Sequence, residues 1–336
     1  MLRSKIVSTG MYVPPQIIKN DDLAKMMDTS DEWIRQRTGI EQRHWAADDT
    51  STSDLAYEAA LVALKNANMD KSEIDMLIVA TLSPDHEFPG TACFLQKKLG
   101  VPGIPALDVR QQCTGFIYAM SIADQFIRTG MYQKILVVGA ELQSKGLEKN
   151  DQGRDVAVLF GDGAGAVVMC ATEVKDVKTD SHVLSTHLYA DGTFAEELWV
   201  AAPGSGNSSD RIGTKEIEDK LHFPQMNGKT VFLNAVKRMP EALQAAFKQN
   251  ELSIEDIDLF IFHQANLRIN DMIAKQFNIP EHKVFNTIQK FANTTAATIP
   301  IGLDEAVRAG KLKKGMLVAS AAFGSGFTWG SAVYRF

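Results

Sequence analysis

The sequence predicts an α/β fold in which one structural plan occurs twice. Apolar, strand-like segments alternate with amphipathic, helix-like segments along the 336 residues, which is the order typical of an α/β protein. A faint internal repeat is the second observation, because residues 63–80 align without gaps with residues 246–263. In a neighbouring register, Arg128-Thr-Gly130 matches Arg308-Ala-Gly310, which lays Cys113 on Asn293. We therefore expect two similar halves, residues 1–172 and 173–336; chance similarity between amphipathic segments is the alternative.

The first elements follow from local patterns. We expect a strand from Lys5 to Met11, a turn at Pro14-Pro15 and a helix near residues 20–27. Thr29 and Glu32 have the spacing of a capping box, which predicts that a second helix begins at Thr29. The elements predicted next are a helix over residues 53–69, a buried strand over 74–81, a strand over 104–109, a helix beginning near Cys113 and a strand over 135–139.

A glycine-rich run, Gly161-Asp-Gly-Ala-Gly-Ala166, has a superficial likeness to a dinucleotide-binding loop. Such a loop must open a helix. Here strand-like residues lie on both sides, Val156 to Phe160 and Val167 to Cys170. The pattern favours a strand–turn–strand connection, and we reject NAD as a cofactor.

Composition excludes several classes of protein. The chain has 35 basic and 41 acidic residues, a net charge of −6, and no basic tail, so nucleic acid and anionic membrane surfaces are unexpected partners. Its three cysteines are too few and too widely spaced for a disulfide framework or a CxxC zinc site. We find no long apolar segment of the kind that crosses a membrane or forms a signal peptide. A cytosolic location and no metal are expected.

The stretch around Cys113 combines a strand-like approach with an amphipathic helix. Phe116, Met120, Ala123 and Ile127 share one helical face, and Cys113 stands where the helix begins. Unpaired N–H groups at that point favour a thiolate and can bind an oxyanion. A small buried core residue is the other interpretation of a lone cysteine.

Two later stretches favour a catalytic role. His263 ends an apolar strand in Ile257-Asp-Leu-Phe-Ile-Phe-His-Gln-Ala-Asn266, and Asn293 precedes a helix in Lys290-Phe-Ala-Asn-Thr-Thr-Ala-Ala297. With Cys113 they resemble the Cys-His-Asn set of the ketoacyl-ACP synthase III family of the thiolase superfamily. Further stretches similar to that family are Asp28-Thr-Ser-Asp-Glu-Trp-Ile34, Arg37-Thr-Gly-Ile40, Phe160-Gly-Asp-Gly-Ala-Gly-Ala166 and Phe323-Gly-Ser-Gly-Phe-Thr-Trp-Gly-Ser331.

The resemblance implies a thiolase-like fold with duplicated halves in α-β-α-β-α layers, and a decarboxylative condensation of an acyl-CoA with malonyl-acyl carrier protein (ACP). Cys113 would carry the acyl group, while His263 and Asn293 would stabilise the carbanion formed from the malonyl thioester. Backbone N–H groups of Cys113 and of the turn at Ser325 would form a second oxyanion hole. This chemistry requires no metal or redox cofactor.

The resemblance also implies contacts for substrates and a partner subunit. Arg268, with Lys275, would dock ACP, and Phe88 would close the acyl pocket of the neighbouring subunit in a homodimer. The residues implied for coenzyme A or its pantetheine arm are Trp33, Arg37, Arg154, Gly228 and Asn266. Leu233 stands where the family often has a basic residue.

Two alternatives stay open at this point. A homologue in a specialised pathway would keep the fold and the three residues but use a longer or unusual primer, or malonyl-CoA. An acyltransferase without decarboxylation would have no need of His263 and Asn293. Pro203-Gly-Ser-Gly-Asn-Ser-Ser-Asp210 lies in a segment that, by the resemblance, would flank the acyl tunnel, so the sequence does not give the primer length.

Overall fold

The computed structural model describes residues 1–206 and 210–336, and its helices and strands alternate as the sequence predicts. The strands are β1 (Leu2–Tyr12), β2 (Gln16–Lys19), β3 (Gln42–Trp45), β4 (Met76–Ala80), β5 (Ala106–Val109), β6 (Lys134–Glu141), β7 (Gly163–Glu173), β8 (Val183–Ala190), β9 (Leu198–Trp199), β10 (Gln225–Met226), β11 (Leu259–Phe262), β12 (Leu317–Gly324) and β13 (Thr328–Arg335). The helices are α1 (Asn20–Leu23), α2 (Asp31–Thr38), α3 (Thr52–Asn66), α4 (Thr91–Leu99), α5 (Gly115–Arg128), α6 (Arg154–Ala157), α7 (Thr214–Glu218), α8 (Gly228–Asn250), α9 (Leu267–Gln276), α10 (Ile288–Phe291) and α11 (Thr298–Arg308).

Two mixed sheets with the same topology form the centre of the molecule. The first has the order β1-β7-β6-β4-β5, and the second has the order β11-β12-β13-β8. In both sheets the pairs on one side are parallel (β6 with β4 and β4 with β5; β12 with β11), and the pairs on the other side are antiparallel. Even β5 has a counterpart, because Val284 forms a parallel bridge with Phe260 of β11.

Apolar packing arranges these sheets and helices in five layers. Helices α3 and α4 pack on the outer face of the first sheet, and α8 and α9 pack on the outer face of the second. Helices α5 and α11 lie between the sheets, where Phe116, Ile127 and Leu303 are fully buried. This is the predicted α-β-α-β-α arrangement, and it brings the beginnings of α5 and α11 together at the middle of the molecule.

The two registers of the repeat hold at different ends of the central helices. The register that aligns Arg128 with Arg308 holds at their ends, because α5 ends at Arg128 and α11 ends at Arg308. The other register holds at their starts. A short 3₁₀ turn precedes each central helix, Gln112–Thr114 before α5 and Thr295–Ala297 before α11. Gln112 and Thr295 open these turns with similar positive φ angles, 46° and 48°. Cys113 is therefore equivalent to Ala296, and the predicted equivalence of Cys113 with Asn293 is wrong. Asn293 lies three residues nearer the N-terminus than the position equivalent to the cysteine.

Two other local predictions are wrong. The N-cap of α2 is Ser30, whose hydroxyl accepts the Trp33 N–H at 3.1 Å, so the helix begins after Ser30 and no Thr29–Glu32 box forms. The stretch before the glycine run contains α6 rather than a strand, because a short apolar run does not distinguish a helix from a strand. The glycine run does lead into a strand, β7, as predicted.

Candidate active site

Cys113 lies in the 3₁₀ turn that joins the β5 segment to α5, and it is 7% exposed. The end of β12 approaches it closely. A Cβ atom placed on Gly324 would lie 2.8 Å from the Cys113 Cβ and 3.0 Å from its backbone nitrogen. Glycine at position 324 therefore allows the two halves of the fold to meet at the cysteine.

The environment of Cys113 differs from the one that its position at a helix start predicts. Burial raises the pKa of the Cys113 thiol to about 12, and the nearby Glu141 carboxyl acts in the same direction. The backbone N–H groups of Cys113 and Ser325 lower this pKa, but burial outweighs them. The expected thiolate is thus wrong for the free protein, in which the sulfur keeps its proton at neutral pH.

Ser325 is held in a turn beside the sulfur. Its backbone N–H acts on Cys113, as the predicted oxyanion hole requires, and its hydroxyl donates to the carbonyl oxygen of Leu198 in β9. The serine side chain is thereby directed to β9, and the Ser325 backbone N–H is the donor that acts on Cys113.

His263 directly follows β11, where its backbone N–H donates to the carbonyl of Ala321 at 2.9 Å. The ring is 3% exposed, and burial lowers the pKa of His263 to about 3, so the imidazole is neutral at neutral pH. Its Nδ1 lies 2.7 Å from the Thr298 hydroxyl oxygen. Its Nε2 is buried, with no hydrogen-bond partner in the described part of the chain.

Asn293 is fixed by its backbone and by one side-chain atom. Its N–H donates to Leu159 at 2.9 Å, and its carbonyl accepts from Gly161 at 3.1 Å. Its Oδ1 accepts the Thr295 N–H at 2.8 Å. The amide NH₂ group is therefore the part of the side chain that remains to act as a donor in the cavity.

A cavity of about 470 Å³ brings Cys113, His263 and Asn293 together. Its wall is mainly apolar and includes Val158, Leu198, Val231, Phe232, Met239 and Phe323. The cavity wall also includes five of the residues predicted to contact substrate or ACP: Trp33, Arg37, Gly228, Asn266 and Arg268. The arrangement combines a buried thiol with two side-chain nitrogen atoms inside an apolar cavity that also reaches an aromatic ring and cationic groups.

Trp33 contacts two guanidinium groups. The Cζ atoms of Arg37 and Arg154 lie 4.6 and 4.9 Å from its ring centroid. Arg154 also donates to the carbonyl oxygen of Asp28 at 2.8 Å, and it is not part of the cavity wall. Asn266 caps α9 by accepting from Arg268 N–H at 3.0 Å, and it donates to the Arg37 carbonyl at 3.0 Å. A role in binding coenzyme A stays a prediction for these residues.

The residues predicted to meet protein partners lie at the surface. Arg268 is exposed, with its guanidinium 5.7 Å from the Phe232 ring centroid, and Lys275 is exposed in the last turn of α9. Leu233 is 55% exposed at the cavity. Phe88 is 78% exposed and does not line the cavity of its own chain. In the 203–210 segment, residues 207–209 lie outside the described residues.

Sequence reasoning missed three residues that support the site. Gln264 accepts the N–H groups of Thr287 and Ile288 at 3.0 and 3.1 Å, which ties the end of β11 to the segment before Asn293. Thr298 contacts the His263 ring. Glu141 is fully buried near Cys113, and burial raises the pKa of its carboxyl to about 7. Gln264 lies within the predicted motif at residues 257–266 and Thr298 directly follows the one at residues 290–297, which was the only signal available for them.

Residues 1–206 and 210–336 contain neither a candidate metal site nor a candidate membrane span. No group of three or more His, Cys, Asp and Glu side chains is placed to hold a metal ion there. Within the same ranges, no helix has the length and apolar composition needed to cross a lipid bilayer.

Comparison with known proteins gives family matches in both halves of the chain. The family described as 3-oxoacyl-[acyl-carrier-protein (ACP)] synthase III matches residues 107–192, and its C-terminal counterpart matches residues 247–336. A beta-ketoacyl-[acyl-carrier-protein] synthase III of Xanthomonas campestris is 46% identical over 333 residues, covering 99% of this chain and 98% of that protein. The chain belongs to the 3-oxoacyl-ACP synthase III family.

Solved structures of this synthase III family have the same fold. The 3-oxoacyl-[acyl-carrier-protein] synthase III of Aquifex aeolicus is 41% identical, with a TM-score of 0.89 over 99% of this chain and 100% of that one. The synthase III of Thermus thermophilus is 39% identical, with a TM-score of 0.89 over 99% of both chains. The predicted thiolase-like architecture and the family resemblance are thus confirmed.

Proposed function

We propose that the protein condenses an acyl-CoA primer with malonyl-ACP, releasing coenzyme A and carbon dioxide and forming 3-oxoacyl-ACP, the first condensation of fatty acid synthesis. The observation that carries this proposal is the convergence of the buried residues Cys113, His263 and Asn293 in one cavity. The names of the relatives support it, because they are synthases of the same kind.

In the first half-reaction, Cys113 attacks the thioester carbon of the acyl-CoA. A bond forms between the Cys113 sulfur and the acyl carbon, and the bond to the coenzyme A sulfur breaks with its electron pair. The thiol proton ends on the departing coenzyme A sulfur. The proposed donors to the oxygen that gains charge during this exchange are the N–H groups of Cys113 and Ser325; that both act on the Cys113 sulfur supports this assignment.

In the second half-reaction, the malonyl carboxylate leaves as carbon dioxide, and its electron pair forms an enolate. His263 and Asn293 are the proposed donors to the enolate oxygen. The enolate carbon attacks the acyl-Cys113 thioester, the carbon–sulfur bond breaks, and the sulfur takes up the proton that the overall reaction consumes. Loss of carbon dioxide replaces proton abstraction, so this route has no need of a strong base, a metal ion or a redox cofactor.

The substrate arm enters by the aromatic and basic end of the cavity in this proposal. Trp33 would stack on the adenine of coenzyme A with Arg154 on the other side, and Arg37 would meet phosphate. Gly228 and Asn266 would line the pantetheine channel. Support comes from the shared cavity, which reaches from Trp33 to Cys113.

A homodimer, two structural halves and a cytosolic location complete the proposal. An exposed Phe88 that does not line its own cavity fits a homodimer in which it reaches the partner's acyl pocket. Residues 1–172 and 173–336 fit two halves that each contain one of the topologically matched sheets. A cytosolic location would place the enzyme with its coenzyme A and ACP substrates.

The proposed function is tested by following both half-reactions of the wild-type protein. Intact-protein mass spectrometry after incubation with acyl-CoAs of increasing length should show one acyl adduct, and addition of malonyl-ACP should remove the adduct and release carbon dioxide. Release from malonyl-CoA but not malonyl-ACP would favour the specialised-pathway alternative. Adduct formation without carbon dioxide from either extender would contradict a condensing enzyme and favour simple acyl transfer.

A charge reversal at Arg268 tests the proposed ACP surface. ACPs are acidic, and this chain carries a net charge of −6, so docking requires a local basic surface. Arg268→Glu is expected to lower kcat/KM for malonyl-ACP roughly 10-fold or more, with acyl loading from acyl-CoA little changed. Lys311→Glu, at an exposed position outside the cavity wall, is the matched control. An equal loss in both half-reactions of Arg268→Glu would refute a docking role.

A further inference from the structure

The orientation of the His263 ring depends on one side-chain hydrogen bond. Nδ1 lies 2.7 Å from the Thr298 hydroxyl oxygen, and both residues are buried, at 3% and 2% exposure. Nε2 has no partner within the described residues, and the ring lines the cavity that contains Cys113. A neutral imidazole has one hydrogen for its two nitrogens, so the contact at Nδ1 decides what Nε2 can do.

The Thr298 hydroxyl has one proton and two acceptors within reach. One is His263 Nδ1 at 2.7 Å, and the other is the Thr295 carbonyl oxygen at 3.1 Å. The Thr295 carbonyl already accepts the backbone N–H of Thr298. Nδ1 has no other described hydrogen-bond partner than this hydroxyl. If the hydroxyl donated to the Thr295 carbonyl, Nδ1 would carry the ring hydrogen and donate to the hydroxyl oxygen. The 2.7 Å contact to Nδ1 has the usual length for a hydroxyl donor, whereas the 3.1 Å contact to the carbonyl is long for one, so the geometry favours donation to Nδ1.

We propose that Thr298 is a positioning residue that donates to Nδ1 and so keeps the single ring hydrogen of His263 on Nε2, facing the reacting thioester. His263 is then a neutral hydrogen-bond donor to the oxygen that gains charge on loss of carbon dioxide. The inference rests on the proposed condensation, since it assigns the source of one of its two side-chain donors. It also explains how an imidazole that stays uncharged can still donate from Nε2.

The first experiment is independent of any substrate. In protein with ¹⁵N-labelled histidine, the His263 signals are assigned by their loss in His263→Ala, and the nitrogen with a directly bonded hydrogen is identified by NMR at neutral pH. The proposal expects the hydrogen on Nε2 and none on Nδ1. A hydrogen on Nδ1 would overturn it, because Nε2 would then present a lone pair to the cavity.

The second experiment separates a hydroxyl role from a packing role. Thr298→Val keeps the shape but leaves Nδ1 without a donor, and carbon dioxide release from malonyl-ACP is expected to fall roughly 10- to 100-fold. Acyl loading of Cys113 should stay within about twofold, since that step does not use the His263 donor. Thr298→Ser restores the hydroxyl and should return release to within roughly threefold of wild type.

The matched control is Thr294→Val, which removes another buried hydroxyl from the same segment, one with no partner in the described chain. It should release carbon dioxide at the wild-type rate. Full activity of Thr298→Val, or a Thr298→Ser variant as slow as Thr298→Val, would refute the proposal. If the wild-type protein released no carbon dioxide with any primer, the proposed function would fail, and the NMR result would decide the tautomer separately.

Discussion

Replacement of Cys113 by alanine is expected to remove acyl loading entirely and to lower condensation by about 10³-fold or more. Within the described residues, the Cys113 sulfur is the only group at the junction of β12 and α5 that can form the covalent thioester. The pKa of His263 is too low for its ring to be charged at this site. Intact mass after incubation with the best acyl-CoA gives the first measurement, and product formation gives the second.

The other two cysteines provide controls for this substitution. Cys93 is exposed and Cys170 is half-buried, and neither lines the cavity. Cys93→Ala and Cys170→Ala should load the acyl group as the wild-type protein does. Persistence of the adduct in Cys113→Ala, with its loss in either control, would move the nucleophile to another cysteine and remove the basis of the proposed mechanism.

The second large effect is expected at His263 and Asn293. Removing one preorganised donor to a developing oxyanion costs about 10²- to 10³-fold in rate, so His263→Ala and Asn293→Ala should each lower carbon dioxide release by that factor. Loading of Cys113 should change little, because the oxyanion donors proposed for that step are the N–H groups of Cys113 and Ser325. Parallel assays of loading and of carbon dioxide release measure this separation.

His282→Ala is the control for the second prediction, because His282 is exposed and lies outside the cavity wall. It should leave both half-reactions unchanged. Unaltered carbon dioxide release in His263→Ala or Asn293→Ala would show that the residue concerned does not serve as a donor. Loss of loading together with release would instead indicate that the substitution disturbs Cys113.

The sequence predicts an α/β fold with a duplicated plan because its signals extend over many residues, and the family resemblance adds the order of the layers. Alternating segments and a repeat of 18 aligned residues survive errors in any single element. Local features depend on one or two atoms, so predictions of them are wrong more often. Thr29 and Ser30 are both suitable caps by residue type, and only the structure shows that the Ser30 hydroxyl reaches the Trp33 N–H. Likewise, the apolar run after Arg154 suits either a strand or a helix.

At the candidate site, the sequence predicts which residues take part but not how deeply each of them is buried. Cys113, His263 and Asn293 stand out because their motifs are specific, and the structure does bring them to one cavity. The raised pKa of the Cys113 thiol could not be predicted from its place at a helix start, because burial depends on distant segments such as Gly324. Glu141 was missed for a similar reason, since a single glutamate in a strand carries no sign of being enclosed.

The three side chains that meet in the cavity carry no net charge before substrate arrives, since burial keeps the thiol protonated and the imidazole neutral. Dissolved salt screens attractions between exposed charges and has little access to a buried, uncharged set of dipoles. Ionic strength should therefore act on the encounter with a charged carrier and leave the bond-making steps almost untouched. A salt titration of single-turnover and steady-state rates would separate the two stages in this enzyme.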